Sequence, residues 1–174
     1  RVWELLDTAI APVQTVFTIG IDVPEAMARS AAEAARLPRL KIKLDAQQPI
    51  ERLEAIRAAR PDATLVVDVN QGWDIHALRD YLPHLERLGI AMLEQPLPRG
   101  ADEALEGIAS AVPLGGDESF QHAGEFEVAA RRYDVLNVKL DKCGGLTEAM
   151  DIVRLAQQHG KRLMVGCMVG SSYS

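Results

Sequence analysis

Short apolar runs alternate along the chain with longer segments of mixed polarity. The runs are TVFTIGI (15–21), LKIKL (40–44), TLVVDV (64–69), AMLEQ (91–95), VPLGGD (112–117), VLNVKL (135–140) and RLMVGCM (162–168). Their length and β-branched content predict strands. Between them, apolar residues recur three and four apart, the spacing of one buried helix face. Pro24 and Glu25 open the first such segment, with Met27, Ala31, Ala34 and Ala35 on one face and Pro38 beyond its end. PIERLEAIRAAR sets Ile50, Leu53 and Ile56 in a stripe. HALRDYLPHLERLG carries Pro83 in its interior, which predicts a kink or a late start. EALEGIASA, EFEVAARRY and LTEAMDIVRLAQQHG follow as helices, the last closed by Gly160.

Seven strands alternating with six helices predict an all-parallel α/β sheet. An open doubly wound sheet collects its ligand residues at one switch point, whereas a (β/α)8 barrel draws them from successive strand ends. Functional-looking residues at the ends of strands two through six favour the barrel. Seven parallel strands alone would leave two bare edges. RVWELLDTAIAPVQT reads as the tail of something earlier, and an eighth helix and strand are expected after Ser174. The expectation is therefore an α/β (TIM-like) barrel of about seven strands, residues 1–174 forming part of a larger catalytic domain.

Charge refines this picture. Asp68, Glu94 and Asp117 each close an apolar run, 26 and 23 residues apart. Lys43 lies 25 residues before the first and Lys139 lies 22 after the last. Such intervals suit one parallel strand plus its crossover helix, so adjacent strands would bring all five groups to one end of the sheet. Three neighbouring carboxylates repel unless a cation sits among them. With no His or Cys nearby, the donor set selects Mg2+, or Mn2+. A single acid at a strand end can simply cap a helix; three in step, with Asn70, Glu118 and Pro96 shaping their loops, point to a metal site.

Two amines on opposite faces of one carbon can remove a proton and return it on the other side. Lysine ordinarily titrates near about 10.4, and Lys41, two residues from Lys43 on the same strand face, would depress it, as would a metal. The glycines of KCGGLTE either approach an anion or make a tight turn, the turn being favoured. Lys142 reads as a solvent contact and Trp73 as a packing anchor. His76, His84, His122 and His159 fall on helices or their starts, away from the acids.

Composition narrows the partners. At 48% hydrophobic and 25% charged, 174 residues can bury a sizeable core. A net charge of −6 gives no footprint for nucleic acid. No apolar run approaches the roughly 20 residues of a membrane helix, and no signal peptide is seen. Cys143 and Cys167 match neither metal-ligand spacing nor a disulfide framework, so a reducing cytoplasm is expected.

The motifs together resemble the enolase superfamily, and within it the muconate-lactonizing-type subgroup. They are K-x-K at Lys41-Ile42-Lys43, D-x-N at Asp68-Val69-Asn70, E-x-P at Glu94-Gln95-Pro96, Asp117-Glu118-Ser119, and NVKLDKCGG from Asn137. DVNQGW (68–73) and GCMVGSS (166–172) are most similar to dipeptide epimerases of the L-Ala-D/L-Glu kind. The resemblance implies Mg2+ held by Asp68, Glu94 and Asp117, binding the substrate carboxylate in its enediolate form. It implies Lys43 and Lys139 as the two acid/base groups of a 1,1-proton transfer. Lys41, Asn70 and Glu118 would orient the ligands, and Cys167 and Met168 would line the substrate pocket. The implied partner is a small molecule, a dipeptide or acylated amino acid, and the protein a homo-oligomer. The family's N-terminal capping domain and its D-x-D motif on the eighth strand do not fall within this sequence, so the piece alone is expected to show little or no activity. N-acylamino acid racemases, o-succinylbenzoate synthases and cycloisomerases share the metal and lysines; an inactive barrel would keep the motifs by descent. Gly166-Cys167-Met168 argues against the racemase and synthase, where a more acidic, glycine-rich segment is expected.

Overall fold

The computed structural model describes residues 2–6, 9 and 11–168. In chain order its elements are α1 (Val2–Leu5), β1 (Phe17–Ile19), α2 (Pro24–Glu33), β2 (Arg39–Lys43), α3 (Pro49–Ala59), β3 (Thr64–Asp68), α4 (Ile75–Arg87) and β4 (Ile90–Glu94). A 3-10 turn (Asp102–Leu105), β5 (Leu114–Gly116), a second 3-10 turn (Ala123–Glu125), α5 (Phe126–Arg132), β6 (Val135–Val138), α6 (Leu140–Cys143), α7 (Leu146–Gln158) and β7 (Arg162–Val165) follow. All seven predicted strands form; β2 and β4 are as long as their apolar runs but begin one residue earlier, and the other five are shorter. They pair in parallel, in sequence order from β1 to β7. An order without reversal excludes the doubly wound arrangement and makes the sheet a barrel wall.

Strand alternation separates two environments. Leu40 and Ile42 of β2, Leu65 and Val67 of β3, Leu93 of β4 and Leu136 of β6 are fully buried. Met27, Ala31, Leu53, Ile56, Leu78 and Leu85 of the helices join them in one core. The opposite face of the strands carries the charged residues. Trp73 is a packing anchor as expected: its ring meets Tyr81 at 4.9 Å and its Nε1–H donates to the Asp45 carbonyl at 3.2 Å.

Three expectations need correction. Ala35 is exposed, because α2 stops at Glu33 and the apolar face ends with it. Pro83 neither delays nor ends α4, which starts at Ile75 under an Asp74 cap that accepts from the Ala77 N–H at 2.8 Å. Pro83 is exposed, so the carbonyl it leaves without a donor can turn to water. EALEGIASA forms only the first 3-10 turn. Gly107 takes φ +80°, and buried Asp102 turns inward to accept from Tyr133 Oη at 3.0 Å and Arg132 Nη1 at 3.1 Å. That tertiary pairing outweighs local helix propensity.

The end of α7 follows expectation. Gly160 is left-handed at φ +61°, and the Lys161 N–H returns to the Ala156 carbonyl at 2.9 Å in a Schellman arrangement. KCGG is likewise a turn, α6 closed by Gly144 at φ +81°.

Gly116 packs against Tyr133, and a Cβ there would stand 2.8 Å from the ring's Cδ2. Gly116→Ala should therefore destabilise the fold by about 1–3 kcal/mol in urea denaturation. Gly20→Ala, with nothing within 4 Å of its Cβ, should leave the midpoint unmoved. Equal midpoints for both variants would refute this account of the β5 packing.

Candidate active site

Sheet register builds the site. Lys43 pairs with Asp68, Asp68 with Glu94, and Glu94 with Gly115. Register partners in parallel strands face the same way, so Lys43, Asp68 and Glu94 form one transverse row. Asp117 stands two residues past Gly115 on that face. Gly115 pairs with Val135, which places Asn137 and then Lys139 further along the same face of β6 and its extension. Asp68, Glu94 and Asp117 are all buried, at most 3% exposed.

Four ammonium groups compensate them. Lys41 Nζ lies 2.7 Å from Glu94 Oε2 and 2.8 Å from Asp68 Oδ2. Lys43 Nζ reaches Asp68 Oδ2 at 2.8 Å and Asn70 Oδ1 at 2.5 Å. Lys139 and Lys142 take the two oxygens of Asp117, Oδ2 and Oδ1, each at 2.6 Å. Glu118, bonded to Asn70 and close enough for its charge to act on Lys142, is the fourth carboxylate facing these four ammoniums, so the cluster is balanced in charge.

The titration of these groups follows from burial and neighbours. Burial, then the adjacent Asp68 charge, holds Glu94 above the usual carboxylate range against the pull of Lys41. Burial would also raise Asp117, but its two ammonium partners outweigh that and hold it low. Lys41 is raised: burial opposes its charge, and Glu94 and Asp68 together prevail. Lys142 is lowered by burial, with repulsion from Lys139 added, because it shares a single carboxylate with that residue.

Around the row lies a ring of polar contacts. Asn70, left-handed at φ 42°, donates its N–H to Asp68 Oδ1 at 2.9 Å and its Nδ2 to Glu118 Oε1 at 3.1 Å. Glu118 Oε2 and Asn137 Oδ1 are buried without a partner among the described residues. Cys167 and Met168 follow β7 and are exposed; Val169 to Ser172 of the GCMVGSS motif lie outside the described residues. The four histidines stay away from the row, His122 and His159 lying near Glu125 and Glu127.

Sequence reasoning misjudged Lys142 and overlooked three other residues. Lys142 is no solvent contact; its Nζ also donates to the Asp117 carbonyl at 2.7 Å, Phe120 O at 2.8 Å and Asn137 O at 3.1 Å. Asn137 donates Nδ2 to Glu94 Oε1 at 2.9 Å; a polar residue inside VLNV, two before Lys139, was the available signal. Gln95, left-handed at φ 41° and fully buried, accepts from the Asp117 and Ser119 N–H groups at 3.0 and 3.1 Å. Its Nε2 donates to Leu97 O and Ser119 Oγ, each at 2.8 Å, and to Tyr133 Oη at 3.1 Å. No local pattern announces that role. Gly166 leaves room for Lys139, since a Cβ would stand 2.9 Å from Lys139 Cε and 2.6 Å from Asn137 Oδ1.

As the side chains lie, no three acids, histidines or cysteines among the described residues close around one point, because ammonium groups occupy the space between the oxygens. The donor set itself suits a hard divalent ion: three buried carboxylates, one of them held above its usual range by burial and a like charge.

A family model described as enolase C-terminal domain-like matches residues 25–174. The chain belongs to that family. Among its relatives, L-Ala-D/L-Glu epimerase of Escherichia coli is 44% identical over 162 residues, 92% of this chain and 50% of that protein. N-acetyl-D-glutamate racemase of a Pseudoalteromonas species is 41% identical over 155 residues, 89% of this chain and 49% of that protein. The crystal structure of a dipeptide epimerase from Cytophaga hutchinsonii, complexed with Mg and the dipeptide D-Ala-L-Val, superposes with a TM-score of 0.91 at 31% identity, covering 95% of this chain and 48% of that one. The chain thus spans about half the length of the curated relatives it matches, and its enolase-like sheet is the portion that aligns.

Because Glu94 titrates above its ordinary value, its charge costs stability at neutral pH, and that cost vanishes as pH falls below the unfolded value of 4.5. In EDTA, Glu94→Gln should therefore raise the urea midpoint at pH 7, the gap to wild type closing on acidification. A wild type more stable than the variant at pH 7 would show that Lys41 and Asn137 outweigh the burial penalty.

Proposed function

We propose that the protein containing this chain as its catalytic barrel is a Mg2+-dependent dipeptide epimerase, inverting the α-carbon beside the substrate carboxylate. The observation that carries this reading is one row of three buried carboxylates with a lysine ammonium at each end. Asp68, Glu94 and Asp117 would hold the ion, with Mn2+ as a substitute. When bound, it supplies positive charge that stabilises the enediolate form of the substrate carboxylate. Lys43 and Lys139 stand on opposite flanks, from β2 and from the end of β6. One takes the α-proton from one face, and the other returns a proton to the opposite face. Each must first leave its carboxylate, Asp68 or Asp117, to be free for that task. Lys41, Asn70 and Glu118 orient the ligands, and Cys167 and Met168 border the substrate.

Likeness to the L-Ala-D/L-Glu epimerase and to the Mg-complexed dipeptide epimerase supports the substrate class. The setting we assign is cytoplasmic: no helix among the described residues is long and apolar enough to cross a membrane, and both cysteines are free thiols. The comparable likeness to an N-acetyl-D-glutamate racemase favours one alternative, an acylated amino acid as substrate.

Full-length protein with Mg2+ in deuterated water should place deuterium on the glutamate α-carbon of L-Ala-L-Glu. Exchange confined to N-acetylglutamate would select the alternative, and no exchange on any dipeptide would remove the proposal. Lys43→Ala and Lys139→Ala should each slow epimerisation by about 10²–10⁴-fold; unchanged rates would show that other groups move the proton.

A further inference from the structure

Resting on the reading of Asp117 as a metal ligand, we propose that Lys142 is a positioning residue that withholds one Asp117 oxygen from the ion and so sets the site's preference for Mg2+ over Ca2+. The two ammonium groups on Asp117 are unequal. Lys139 meets Oδ2 at 2.6 Å from the tip of a side chain laid over Gly166. Lys142 meets Oδ1 at 2.6 Å and is tied to the carbonyls of Asp117, Phe120 and Asn137 as well. An ammonium carries three protons, so four acceptors within 3.1 Å saturate it. All three carbonyls belong to buried residues, and withdrawing Lys142 would take a donor from each, the Asp117 carbonyl keeping the Phe120 N–H at 3.1 Å. Lys139 can leave its oxygen, whereas Lys142 stays.

The other two acids are arranged alike. At Asp68 the fixed donor is the Asn70 N–H on Oδ1, and lysines hold Oδ2. At Glu94 it is Asn137 Nδ2 on Oε1, with Lys41 on Oε2. Each carboxylate keeps one oxygen on a fixed donor, and only lysine ammoniums hold the other. Three single oxygens suit Mg2+, which requires a compact six-coordinate shell, and disfavour Ca2+, which accepts carboxylates through both oxygens. Asp117 is the acid whose second oxygen depends on a side chain that can be replaced without altering the ligands themselves.

Calorimetric titration of the full-length protein, without substrate, with MgCl2 and with CaCl2 tests this. Lys142→Met removes one positive charge, which affects both divalent ions alike and cancels in the ratio of their affinities. A general structural loss would also weaken both together. Freeing Oδ1 should shift the ratio toward Ca2+ by about tenfold, and a ratio equal to wild type, with both ions bound, overturns the proposal. Failure of wild type to bind either ion, or unchanged affinities in Asp117→Asn, overturns the underlying reading of the site and this proposal with it. If Lys142→Met does not fold, a crystal structure of the wild type soaked in Ca2+ decides. Asp117 bound through Oδ2 with Oδ1 still on Lys142 supports it; both oxygens on the ion with Lys142 displaced refutes it.

Discussion

Burial of three carboxylates at the ends of neighbouring parallel strands is the constraint on which the rest of the structure depends. Isolated acids in such places would lose their charge or break the sheet. Lys41, Lys43, Lys139 and Lys142 prevent both, at distances of 2.6 to 2.8 Å. The arrangement demands strict register, because a one-residue slip of any strand would turn its charged residue into the apolar layer. The fully buried Leu40, Ile42, Leu65, Val67 and Leu93 enforce that register from the opposite face.

Strand positions were legible because their information is local. Short apolar runs alternating with helical spacing marked all seven, and the similar spacing of acids and lysines, 22 to 26 residues, placed them at one sheet end. What could not be read depends on partners distant in sequence. The segment at 103–111 has helical composition, yet Asp102 is drawn inward by Arg132 and Tyr133, about thirty positions away. Lys142 looked like a surface residue because nothing nearby shows that Asp117 and Phe120 carbonyls converge on it. Gln95 gave no signal either, since an amide between Glu94 and Pro96 can face either side until the β5 loop is in place.

The two lysines assigned to proton transfer stand in different surroundings. Lys43 is the most exposed of the four, at 31%, and touches Asn70 as well as Asp68. Lys139 is half as exposed and crosses the bare backbone of Gly166, with Lys142 beside it. The β6 end of the row is therefore packed, while the β2 end opens to solvent. A proton held at Lys43 can exchange with water more readily than one held at Lys139.

The same strand ends store backbone strain. Asn70, Gln71 and Gln95 all adopt positive φ, between 41° and 67°, in residues that possess a Cβ. Such conformations cost on the order of 1–3 kcal/mol each and persist only where surrounding structure over-determines them. Here the surroundings are hydrogen bonds that run between strand ends: Asn70 Nδ2 to Glu118 Oε1 at 3.1 Å, Gln71 N–H to the Gln95 carbonyl at 2.9 Å, and Gln95 N–H to the Gly115 carbonyl at 2.7 Å. Strained loops thus hold one another across β3, β4 and β5, the three strands that deliver the acids. A rigid acidic row between movable lysines is the mechanical result. It leaves the carboxylates fixed for a ligand while allowing Lys43 and Lys139 to change partners.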